Sequence, residues 1–123
     1  MNTKPDLFID DERMPPEGGN WVIVRTSAAA ISWIEKNGIP EHISFDHDLG
    51  GEDTSMRVVH WLARNLCEPK NIHPYRRYLL YMAGTYHRLT LPKHFSYYVH
   101  SQNPVGVTNI TSLMNQIIDE VKK

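Results

Sequence analysis

A chain of 123 residues, 41% hydrophobic and 22% charged, is long enough to build one core of its own and is neither disordered nor fibrous in composition. A formal net charge of −1 gives no overall pull towards nucleic acid or an anionic membrane, and the single cysteine, Cys67, excludes an internal disulfide framework. No basic-then-apolar start and no membrane-length apolar run occur, so the expectation is a single domain over residues 1–123, soluble, cytoplasmic and without membrane contact.

In chain order, Leu7-Phe8-Ile9 reads as a short apolar strand that ends on Asp10 and Asp11. The segment 14–20 holds two prolines and two glycines and continues no ladder or helix. Trp21–Val24 is β-branched and aromatic, a second strand with Arg25 at its end. Thr26 or Ser27 can then cap a helix through Lys36, with Ala30, Ile31 and Ile34 on one face and Asn37-Gly38 as its stop. Ile43-Ser44-Phe45 runs into Asp46-His47-Asp48, and Leu49-Gly50-Gly51 turns the chain away. Thr54 or Ser55 can cap a second helix whose buried stripe is Val58, Val59, Leu62, Ala63 and Leu66.

From Cys67 to Lys93 the prolines and Gly84 break every pattern, and Tyr75–Met82 fits either a short helix or an outer strand. Phe95–Val99 is a strand that runs into His100 and Ser101. Residues 101–106 read as a turn, and Ile110, Leu113, Met114, Ile117, Ile118 and Val121 mark the apolar face of a final helix. Alternating strands and helices, each strand nearly all apolar, predict a mostly parallel sheet with helices on both faces. Ligands of such sheets bind at the carboxyl ends of the strands, and that is where the polar residues fall. Trp21, Trp33 and Trp61 are expected in the core.

Charge is unevenly spread. Acids gather over Asp10–Glu17 and Asp46–Asp53, whereas Lys70–His94 contains Arg76, Arg77, Arg88, Lys93 and three histidines but no acid. That basic segment suits either an anionic ligand or a solvated face. Tyr75, Tyr78 and Tyr81 beside its arginines can stack on a base or simply pack.

Carboxylates brought together repel one another unless a cation lies between them. Asp10, Asp11, Asp46 and Asp48 are therefore candidate ligands of a hard divalent ion, Mg²⁺ or Mn²⁺, although Asp48 also suits a turn. Arg13 and Arg25 can grip a phosphate bidentately or pair with Glu12 or Glu17. His47 and His100 are candidate proton donors and acceptors, Ser101 a hydroxyl for a phosphoryl oxygen, and Asn103 a ligand-orienting or turn residue. Asp46 is a metal ligand or a covalent nucleophile. Cys67 lacks an adjacent histidine and is not expected to be a nucleophile.

Four blocks carry a resemblance: Asp10-Asp11-Glu12-Arg13, Val24-Arg25-Thr26, Asp46-His47-Asp48-Leu49-Gly50 and His100–Gly106. The ordered set resembles the receiver-derived family of cyclic-phosphate-processing receiver domains. The resemblance implies a truncated flavodoxin- or receiver-like three-layer sandwich with a divergent Cys67–Lys93 segment. It also implies a divalent metal on Asp10 or Asp11 with Asp46, and action on cyclic phosphates of nucleotides or RNA ends. His47 and His100 stand where ordinary receivers have no histidine. The stretch from Asp11 to Asp46 has room for only one strand and one helix, and neither a fifth strand nor its lysine follows Ser101. The expected activity is metal-dependent phosphoesterase chemistry. The alternatives are a non-catalytic module that captures a phosphorylated nucleotide or a protein partner, and a degenerate signalling receiver phosphorylated at Asp46.

Overall fold

Four strands, β1 (Asp6–Ile9), β2 (Trp21–Val24), β3 (His42–Phe45) and β4 (Ser96–Val99), form one sheet in the order β2-β1-β3-β4. All three pairings are parallel. The computed structural model describes residues 4–67, 74–83 and 89–122. Ile9 sits opposite both Val24 and Phe45, and Phe45 opposite Val99. The strands thus end level, and the next residue of each leaves from the same edge.

The connections follow the sequence closely. α1 (Ser27–Asn37) starts where the Thr26 hydroxyl accepts from the Ala29 N–H at 3.0 Å. It stops at Gly38, whose φ of 85° favours a residue without a side chain. α2 (Met56–Leu66) buries Val58, Val59 and Leu62. Ser55 stands at its N-cap position but makes no side-chain cap, because its hydroxyl donates instead to the Asp46 carbonyl.

The ambiguous Tyr75–Met82 stretch is helical, α3 (Pro74–Met82), and exposes Tyr75, Tyr78, Leu79 and Met82. Lys70, His73, His87 and Arg88 of the basic segment lie outside the described residues, as do the side chains of Arg77 and Tyr81. The turn expected over 101–106 is shorter than that. α4 (Pro104–Lys122) already begins at Pro104, where a missing N–H costs nothing, and Asn103 Oδ1 caps it by accepting from the Gly106 N–H at 3.1 Å.

Successive strand residues point to opposite faces. Leu7, Ile9, Val24, Ile43 and Phe45 point to the face covered by α1, α2 and α4, and form one core with Ile34, Leu62, Ile110, Met114 and Ile117. Phe8, Trp21, Ser44 and Tyr98 point to the other face, and Trp21 lies outside that core while Trp33 and Trp61 pack against it.

The receiver-like parallel α/β architecture is thus present, but among the described residues the packed helices lie on one face of the sheet. The physical reason is the β1–β2 connection, residues 10–20. Its prolines and glycines prevent the helix that would have covered the second face. α4 approaches the segment after β3 closely enough that a Cβ on Gly106 would stand 2.4 Å from His47 Cγ.

Gly106→Ala is expected to destabilise the fold by about 1–3 kcal/mol through that overlap. His47→Ala should recover most of the loss, as a double-mutant cycle in urea would measure.

Candidate functional site

The sheet's hydrogen bonds continue one residue past the strands. Asp10 N–H donates to the Val24 carbonyl at 3.1 Å, Asp46 N–H to Ile9 at 2.9 Å, and His100 N–H to Phe45 at 2.9 Å. Asp10, Asp46 and His100 are therefore fixed side by side by backbone pairing alone. Their ligand atoms all lie within 4.8 Å of one another, the one such group of three or more His, Cys, Asp or Glu among the described residues.

Asp10 is fully buried. Its Oδ1 accepts from the N–H groups of Glu12 (2.9 Å) and Arg13 (2.8 Å), and its Oδ2 meets His100 Nε2 at 2.9 Å. Burial pushes its pKa up, but those two N–H groups and His100 outweigh it and hold the carboxyl below its usual value. Asp46 is 6% exposed and behaves oppositely. Burial, and next the charge of Asp10, raise its pKa, and the Ser101 hydroxyl, His100 and Arg13 pull against this without reversing it.

His100 is held at both nitrogens. Nε2 faces Asp10, and Nδ1 meets the Ser44 hydroxyl at 2.7 Å. An ionised carboxylate only accepts, so the proton sits on Nε2 and, in the neutral ring, Ser44 donates to Nδ1. The ring also stacks on Phe8, with centroids 4.6 Å apart and planes 4° from parallel. Ser44 was not among the site residues read from sequence. Only the strand register that sets it beside His100 reveals it.

Arg13 supplies the positive charge between the acids, with Nε 3.4 Å from Asp10 Oδ2 and Nη2 3.9 Å from Asp46 Oδ2. Arg25 does not reach into this cleft. Its Nη1 donates to the carbonyls of Asp10 (3.1 Å) and Arg13 (2.7 Å), which ties down the loop after β1. Above the acids opens a cleft of about 420 Å³. Asp11, Arg13, Asp46, Asp48, Ser101 and Asn103 line it, as do Glu12 and Gln102, which sequence reasoning left out.

Asp48 is exposed on the outer wall, where it accepts from Asn103 Nδ2 at 3.2 Å and meets His47 Nδ1 at 3.0 Å. Those two contacts hold its pKa below the usual value. Asn103 thus does two jobs, capping α4 and bracing Asp48. The His47 ring packs against Gly106, and its Nδ1 is engaged by Asp48. It does not join the Asp10–Asp46–His100 group. The expectation that both histidines border the acids is met by His100. His47 reaches only the outer Asp48, because the residue after Asp46 points to the opposite face, where its ring packs on α4. The bridge between Asp48 and Thr54 closes the loop, and Asp53 fastens it to α1 by accepting from the Ser27 N–H at 2.9 Å and hydroxyl at 2.5 Å.

A level parallel sheet with strand order β2-β1-β3-β4, an acidic pair at its carboxyl edge and a hydroxyl after the last strand define a receiver-type domain. The chain belongs to the cyclic-phosphate processing receiver domain family, whose profile matches residues 6–116. No curated protein and no solved structure gives a match. No helix among the described residues is long and apolar enough to cross a membrane.

The two acids should respond oppositely to neutralisation. In metal-free protein at pH 7, Asp46→Asn is expected to raise the thermal midpoint, because an ionised Asp46 favours the unfolded chain. That gain should shrink as acid protonates Asp46 in the wild type. Asp10→Asn should cost about 1–3 kcal/mol, since an amide cannot satisfy all of its donors. Asp10's contribution is fully present at neutral pH and is lost as pH falls through its lowered folded value. Thermal melts of both variants between pH 2 and 8 check these signs.

Proposed function

We propose that this domain hydrolyses a cyclic phosphate of a nucleotide or RNA end with the help of a divalent cation. The observation that carries the reading is the convergence of Asp10, Asp46 and His100 within 4.8 Å, beside Arg13 and under an open cleft. Clustered carboxylates on an open cleft fit a hard divalent cation such as Mg²⁺ or Mn²⁺. Asp46, with Asp11 and Asp48 on the cleft wall, would hold it. When bound, such an ion supplies charge neutralisation of the phosphate.

The remaining roles belong to the chain's own groups. Arg13 is 45% exposed at its side chain and can turn from the acids onto a phosphoryl oxygen when a cation replaces it there. In its imidazolium form His100, oriented by Ser44 and Phe8, would give its Nε2 proton to the departing ribose oxygen and return to the neutral ring. The Ser101 hydroxyl, which bonds Asp46, orients that carboxylate towards water. Asp46 accepts the proton of the attacking water.

One observation favours a second reading. Arg13 already balances both acids without any ion, which suits a module that captures a phosphorylated nucleotide and does not turn it over.

Two measurements separate these. A saturating divalent cation should raise the melting temperature of the wild type, by about 2.7 kcal/mol equivalent at one hundred times Kd, and Asp46→Asn should lose that gain. Nucleoside 2′,3′-cyclic phosphates with Mn²⁺ should be opened at a rate that chelator abolishes and His100→Ala lowers by about 10²–10⁴. Nucleotide binding without turnover, under cations that do raise the melting temperature, would establish the capture module.

A further inference from the structure

The sheet face that lacks helices holds a second cavity, about 420 Å³ in volume, whose wall is almost entirely carbon. Phe8 is its floor, Trp21 and His42 stand on one side, Tyr98 on another, and Pro16 of the β1–β2 loop borders it. The rings are locked together: Trp21 meets Phe8 edge-on at 5.7 Å, and His42 meets Trp21 edge-on at 5.9 Å. Gly19 packs so closely on the Trp21 indole that a Cβ would stand 2.2 Å from Nε1. Tyr98, at 62% exposed, is the one ring of the group that is largely uncovered.

This cavity adjoins the acidic group through His100. Residues two apart on a strand share a face, so Phe8 shares one with Asp10, Ser44 with Asp46, and Tyr98 with His100. Phe8 lies one step, about 6.6 Å, down β1 from Asp10 and Tyr98 the same step down β4 from His100, with Trp21 and His42 a further step down. His100 belongs to both, with Nε2 on Asp10 and its ring lining the cavity. A ligand that fills both places needs an anionic group and a flat apolar ring joined by a short linker.

We propose that the cavity is a nucleobase subsite, in which the base stacks against Tyr98 and Trp21 over Phe8 while its ribose phosphate reaches the acids. The inference rests on the phosphate reading above and names its substrate as a nucleotide. It excludes a bare cyclic phosphodiester as the preferred ligand. Recognition is by stacking, because the cavity wall presents almost no polar surface. Ser44 is bonded to His100, and His42 Nδ1 meets Ser96 Oγ at 2.8 Å. The subsite therefore tolerates every base, with larger rings held more tightly.

The test compares a nucleoside 2′,3′-cyclic phosphate with glycerol 1,2-cyclic phosphate, which keeps the strained ring and lacks a base. Binding of adenosine 3′-monophosphate, read by tryptophan fluorescence, is measured alongside. Tyr98→Ala, an exposed position with little to lose in folding, should lower the nucleotide-to-glycerol ratio of kcat/KM about tenfold. It should weaken the adenosine 3′-monophosphate complex by a similar factor, and Tyr98→Phe should restore both.

An unchanged ratio, or a glycerol ester bound as tightly as the nucleotide, overturns the subsite. So does sedimentation that shows a dimer lost in Tyr98→Ala while nucleotide binding stays intact, since a second copy would then own this face. Tyr98-dependent nucleotide binding with no turnover of any cyclic phosphate keeps the subsite and removes the phosphoesterase reading.

Discussion

The structure depends on the register of four short parallel strands. Pairing Ile9 with both Val24 and Phe45, and Phe45 with Val99, brings three chain segments far apart in sequence to a common edge. The backbone bonds that then seat Asp10, Asp46 and His100 cost no side-chain entropy, so the site is positioned by the same interactions that hold the sheet. A slip of one residue in any strand would move its polar residue to the opposite face and its apolar residues into solvent. The fully buried Leu7, Ile9, Ile43 and Phe45 therefore protect the site geometry as much as the fold.

Two carboxylates buried this closely need a countercharge, and the chain provides one. Arg13 lies between them, itself fixed because its own N–H and carbonyl bind Asp10 and Arg25. The arrangement splits the two acids by environment. Asp10, surrounded by donors, stays ionised as an anchor, whereas Asp46, with fewer donors and open to the cleft, has its pKa raised. Such a separation assigns different tasks to similar groups: one orients His100, the other faces whatever enters the cleft.

The β1–β2 loop has consequences on both sides of the sheet. Its first turn wraps the Asp10 carboxylate, and its later residues, Pro16 and Gly19, border the aromatic cavity. A helix in that connection would have covered Trp21 and the cavity above Phe8 with a third layer. The glycines and prolines instead leave a recess of rings beside the acids, which gives the domain two adjoining environments of opposite polarity.

The sequence alone determined the strands, the two helices after β2 and β3, the final helix and the acidic carboxyl edge, because each rests on local periodicity or a local stop signal. Leu7–Ile9 running into Asp10-Asp11 and Phe45 into Asp46 were legible in this way, and so was the absence of a helix between Asp11 and Trp21. Only the tertiary structure decided what each polar residue touches. Arg25 and His47 read as site residues because they follow strand ends, yet one ties down backbone and the other packs on Gly106. Ser44 and Tyr98 carried no local signal, since the His100 ring that Ser44 bonds and the cavity that Tyr98 lines are assembled from several strands. The reason is physical: burial pattern and capping are properties of a short segment, whereas a hydrogen bond across the sheet exists only once register has been set.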